Sequence, residues 1–148
     1  MSRERRINLV LLEYWLKVKG DRLMPEENDI DPDALGDVWD HCFLIQVRDI
    51  HNVIDYNYTY LGSRIVDAYA EGTVQPEDGL MISPNATKLS QTFEEIIENK
   101  KPLMEDGEFV TISGRTVKYR QCLLPLGDAQ GTVHSIFGGM RFKLFDNS

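Results

Sequence analysis

From Val53 to Leu61 the sequence alternates: Tyr56, Tyr58 and Tyr60 fall on one side, Asp55, Asn57 and Thr59 on the other. Successive side chains of an extended chain point to opposite faces, so this period belongs to a half-buried strand with three phenols turned inward. Just before it, Phe43 to Val47 is a short apolar run ending in Arg48 and Asp49, and Asp49 to Asn52 supplies turn residues. The two segments are therefore expected to pair as an antiparallel hairpin. Gly62 breaks the second strand, and Ser63 can cap a short helix bearing Ile65, Val66 and Tyr69 that stops near Gly72.

An irregular link holding Pro76, Gly79 and Pro84 follows. Ser83 as cap and Pro84 at the first position predict a longer helix through Asn99. Ala86, Leu89, Phe93, Ile96 and Ile97 keep helical spacing, while Lys88, Gln91, Glu94, Glu95 and Glu98 face water. The last third reads as three strands: Pro102 to Ser113, broken or bulged at Asp106-Gly107; Thr116 to Leu126; and Thr132 to Phe142, interrupted at Gly138-Gly139. Ser113-Gly114-Arg115 and Gly127 to Gly131 are the turns between them.

The outward side of the fourth strand changes character after Lys118 and Arg120, presenting Cys122, Leu124 and Leu126, with Ile136 at matching parity on the fifth. Such an apolar patch needs cover. The available lid is an N-terminal helix, Ile7 to Val18, ended by Gly20. At 100° per residue it carries two apolar stripes: a wide one of Ile7, Val10, Leu11, Tyr14, Trp15 and Val18, and a narrow one of Leu9, Leu12 and Leu16. Two apolar faces need two surfaces to bury them. One belongs to the domain itself; the other suits a second copy, which makes Leu9, Leu12 and Leu16, with Leu124 and Leu126, the expected dimer or partner interface. Between that helix and the hairpin, Asp31 and Pro32 signal a short helix carrying Leu35, Val38 and Trp39.

At 148 residues the chain has the size of one domain, 1–148, with the N-terminal helix in 1–20 and the core in 43–142. Its 16 basic against 24 acidic residues leave a net charge of −8, which repels closely spaced phosphates, and Arg3, Arg5 and Arg6 form the one basic cluster along the sequence. Neither nucleic acid nor membrane insertion is expected, since no apolar run approaches the roughly 20 residues of a membrane span. The basic N-terminus does not make a signal peptide, because Asn8, Glu13, Lys17 and Lys19 interrupt the stretch after it. Cys42 and Cys122 form no disulfide framework, so a cytoplasmic location with reduced thiols is expected, and the glycosylation-type sequons at Asn57 and Asn85 carry no meaning.

Two strands, a helical crossover and three antiparallel strands is the layout of PAS domains. The stretches LEYWLKVKGDRLMPEENDIDP (Leu12 to Pro32), YTYLGSRIVDAYAEG (Tyr58 to Gly72), CLLPLGD (Cys122 to Asp128) and IFGG (Ile136 to Gly139) resemble a stand-alone PAS subgroup common in alphaproteobacteria, once catalogued as a domain of unknown function. The resemblance spans about Leu12 to Gly139. It implies an α+β fold, a five-stranded antiparallel sheet in the order 2-1-5-4-3 with the crossover on one face and the N-terminal helix on the other. It also implies a general role in signalling or protein recruitment, and it supplies no catalytic residue or ligand.

Haem-binding PAS proteins take an axial histidine from the crossover helix, and Pro84 to Asn99 holds none. Flavin photoreceptors form their adduct at a cysteine before that helix, and Tyr69 to Met81 holds none. A cofactor is thus unknown, and non-covalent binding stays open. His41 and Cys42 are neighbours that point apart in an extended stretch, His51 and His134 lie far from them, and metal is not expected. The tyrosines opposite Phe93 and Ile97, with Tyr119 and Gln121, would line an apolar pocket with polar tips, or else fill a core. The expected function is a non-catalytic sensory and interaction module, signalling to an unidentified protein and able to take a small amphipathic ligand. The alternative is a cone-shaped enzyme of ketosteroid-isomerase type, using a Tyr donor and an Asp base; Asp55 and Tyr56 fall on opposite faces of their strand, which argues against it.

Overall fold

The computed structural model describes residues 3–70, 87–110 and 114–145. Helix α1 (Arg3–Lys19) leads into a 3-10 turn at Glu27–Asp29, a short α2 (Pro32–Leu35) capped by the Asp31 carboxylate, and a second 3-10 stretch at Gly36–His41. Strands β1 (Cys42–Ile50) and β2 (Val53–Leu61) form the expected hairpin, its tight turn held by His51 and Asn52 at positive φ. Helices α3 (Ser63–Ala70) and α4 (Thr87–Asn99) precede β3 (Leu103–Val110), β4 (Thr116–Gly127) and β5 (Val133–Phe145). The capping pair Ser83-Pro84 and the turn at Ser113 lie outside the described residues.

The five strands make one antiparallel sheet in the order β2-β1-β5-β4-β3. Its inner face packs Phe43, Ile45, Tyr56, Tyr119, Leu123, Ile136 and Met140 against Ile65 of α3 and Phe93 and Ile96 of α4. Its outer face packs Cys42, Cys122, Leu124, Leu126 and Phe137 beneath Ile7, Leu11 and Trp15 of α1. Removing each of those three helix side chains from water is worth about 1.5–3 kcal/mol for the aliphatic ones and more for the indole. The indole also donates to the Pro125 carbonyl at 2.9 Å, which fixes how far α1 slides along the sheet.

Four expectations need correction. Strand β3 runs through Asp106-Gly107 with unbroken register, because a glycine at 107 leaves room for the Tyr119 ring to lie against the backbone. Strand β5 likewise runs through Gly138-Gly139 and on to Phe145. Ile136 faces the inner core, not the outer patch. Tyr60 faces the outer side, away from Tyr56 and Tyr58. The last two errors share a cause. Register shifts by one residue at Thr59 on β2, where Leu44 pairs with Tyr60 and Ile45 with Tyr58. It shifts again at His134 on β5, where Leu126 pairs with Ser135 and Gly127 with Val133. Each bulge reverses the parity of every residue beyond it.

Candidate functional site

The inner face is built where β1, β2 and β4 meet α4. Tyr56 tilts against Phe93 at 5.0 Å between ring centroids, and Tyr58 stands edge-on to Phe43 at 6.3 Å. Burial pushes the Tyr56 phenol up to about 12 and raises that of Tyr58 as well. Tyr119 reaches about 12 through burial first and then the Glu105 charge beside it. All three are neutral hydroxyls at ordinary pH, so they offer hydrogen bonds and no charge. Ile97 is half-buried and packs against both cores. Tyr60 belongs to the outer layer. It stacks on Trp39 at 4.2 Å and 12° and donates to the Trp39 carbonyl at 2.9 Å, closing that side of the sheet.

One polar constellation interrupts the inner surface. Glu105 on β3 accepts from the Tyr119 hydroxyl at 3.2 Å and from Gln121 Nε2 at 3.0 Å, across adjacent rungs of the β3–β4 pair. Turning the amide round would set Oε1 against the carboxylate oxygen, so Nε2 must face Glu105. Oε1 is then left without a partner in a residue only 1% exposed. A buried carbonyl oxygen in that state costs about 1–3 kcal/mol. Glu105 escaped the sequence reading because a lone acid in an extended stretch carries no mark of the residues it will meet across the sheet. The signal available was the opposed pairing of a glutamate with an inward glutamine, visible only once the β3–β4 register is known.

The expected interface residues divide. Leu9 and Leu16 are 41% and 49% exposed on the far side of α1, and Leu12 is half-buried against the outer core. Leu124 and Leu126 are 0% exposed beneath the chain's own α1, so they belong to the domain core and not to a docking surface. Asp55, the candidate base, pairs with Arg48 at 2.8 Å on the sheet face opposite Tyr56. Acid and phenol do not meet.

Cys42 and Cys122 flank Gly139 from its two neighbouring strands. Two strand spacings amount to about 9.6 Å, beyond the ~7 Å that a disulfide can span. Burial raises both thiols, Cys122 to about 12, and Cys42 donates to the Val38 carbonyl. Among the described residues no group of three or more His, Cys, Asp and Glu side chains converges as a metal set would. None of their helices is long and apolar enough to cross a membrane.

Comparison with known proteins places this architecture. A family model described as PAS domain matches residues 3–141. Among solved structures, a variant of the fungal photoreceptor VVD is similar over 88% of this chain and 92% of its own, at 14% identity and a TM-score of 0.40. No curated protein matches.

Proposed function

Because the chain belongs to the PAS domain family, whose members are sensory and interaction domains, we propose that it works as a non-catalytic module that dimerises through the outer stripe of α1 and signals by protein contact. The observation that carries this reading is the exposure of Leu9 and Leu16 on a helix whose other side is sealed against the sheet. Leucines at 9, 12 and 16 follow three-and-four spacing, a single seam that suits the same seam on a second helix. A two-fold axis near Leu12 sets Leu9 of one copy against Leu16 of the other. Since both residues are exposed, Leu9→Glu and Leu16→Glu should leave the fold intact and turn a dimer into a monomer in light scattering. A wild-type protein that runs as a monomer at every concentration tested ends this reading.

A second reading is favoured by one specific observation, the buried and unpartnered Oε1 of Gln121. It supports a small amphipathic ligand on the inner face that brings an N–H or O–H donor to that oxygen. Native mass spectrometry of freshly purified protein, with thermal shift against a metabolite library, tests it. Gln121→Leu should abolish any shift found in the wild type. A native spectrum of bare chain and a library with no stabilising compound count against a ligand.

A further inference from the structure

Two pairs of basic residues that lie more than 20 positions apart in the sequence meet in the fold. On the outer face of the β4–β5 ribbon, Lys118 pairs directly with Lys143, and one rung pair further in Arg120 pairs with Arg141. Like charges set opposite each other in an antiparallel pair destabilise it; on the other flank of β4, Lys118 stands opposite Glu108 and Arg120 opposite Asp106, so the β5 flank is where cation meets cation. Both lysine ammoniums lean over one ring, that of Phe145, at 4.9 and 5.5 Å from its centroid. Among the described residues neither lysine has a carboxylate partner within salt-bridge distance, and Arg120 reaches only Asp106, at 3.6 Å.

Helix α1 adds to this end. Trp15 is anchored at Pro125, while Leu11 and Ile7 lie over Gly139, two residues short of Arg141. The helix therefore runs backwards towards the same rungs. Asn8, Leu9 and Leu12 already border a depression shared with Asp106 and Arg120. Four of the chain's 16 basic residues, Lys118, Arg120, Arg141 and Lys143, thus share two neighbouring rungs of the ribbon in a molecule with net charge −8.

That end also has a receptacle: an open groove of about 460 Å³ bounded by Asp106, Glu108, Lys118, Arg120, Lys143 and Phe145, in which three cations outnumber two carboxylates. Two lysines held in like-charge opposition are the kind of departure from a self-consistent fold that functional surfaces show. We propose that this groove docks a short acidic segment of a protein partner, its carboxylates lying between the two lysines and Arg120. A long polyanion fits less well. Nucleic acid carries a charge every ~1.7 Å, and its phosphates would run from the basic end onto an otherwise acidic surface. An anionic membrane presents the same difficulty over a plane. A segment with a few carboxylates can end where the basic patch ends.

The test uses the full chain and a fluorescein-labelled hexaglutamate peptide, read by fluorescence anisotropy at low salt. Binding should weaken by about tenfold or more in the double variant Lys118→Gln/Lys143→Gln, and should fall as salt rises. Both lysines are exposed, so the variant's melting temperature should match the wild type. Lys17→Gln, on the exposed side of α1 in its last turn, should bind as the wild type does. No binding by the wild type, equal binding by the double variant, or equal loss in Lys17→Gln would overturn the proposal. So would tighter binding of a short single-stranded RNA or of phosphatidylserine vesicles than of the peptide.

Discussion

Gly138 and Gly139 sit side by side on β5 and are bare for opposite reasons. At 138 the Phe43 ring lies against the inner side of the strand, and the Cys122 carbonyl would stand 2.7 Å from an added Cβ. At 139 the Leu11 side chain of α1 presses on the outer side, with Ile7 at 3.3 Å. One residue lets a core ring lie flat on the sheet; the next lets a helix lie close to it. His41, at the entrance to the same strand pair, is half-buried. Burial is the largest reason its imidazole is held down, to about 4 against an ordinary 6.5, followed by the nearby Arg141 of β5 and Arg64 of α3; Asp40 opposes them. The unfolded chain therefore takes up this proton below about pH 6.5 while the folded one resists until about pH 4. Protons bound more readily by the unfolded state reduce stability as pH falls through that window. His41→Asn should flatten the decline of melting temperature between those two values. A decline of unchanged slope would mean that the imidazole does not titrate in this way.

At the scale of elements, α1 shows how one helix can serve two surfaces. Ile7, Leu11 and Trp15 recur every four residues and are buried, so this side is structural. Leu11→Ala removes a fully buried side chain at the contact with Gly139 and should cost about 2–5 kcal/mol in denaturant unfolding. Lys17→Ala, exposed on the same helix, should change stability by no more than about 0.5 kcal/mol. Equal effects would mean that α1 is not packed on the sheet. The α1–sheet layer was legible from residue types, since a two-faced helix and an apolar outer patch on β4 each demanded a partner. Their complementarity placed Leu124 and Leu126 under the helix, which left Leu9 and Leu16 to carry any outward role.

For the whole molecule, association and stability are linked. If the folded chain pairs through α1, its melting temperature should rise with protein concentration, because mass action favours the folded dimer. In Leu16→Glu that dependence should vanish. A concentration-independent melting temperature in the wild type would speak against dimerisation as surely as light scattering would. The same scale governs charge. A net −8 spread evenly would repel every acidic partner, yet the β4–β5 ribbon collects four cations on two neighbouring rungs. This polarity exists only after folding.

What residue order settled by itself was the kind and sequence of elements: period-two runs make strands, the spacing of Phe93, Ile96 and Ile97 makes an amphipathic helix, and the β1–β2 turn is written in Asp49 to Asn52. These are local consequences of side-chain direction and backbone preference. Tertiary structure decided which face each late residue takes. A single inserted residue at Thr59 or His134 is invisible to a periodic reading, yet it sends Tyr60 out of the inner core and Ile136 into it. It also decided what meets what: Glu105 with Tyr119 and Gln121, and lysine opposite lysine over Phe145, are cross-strand encounters. Such contacts depend on register between strands distant along the chain, and register is set by the packed sheet as a whole.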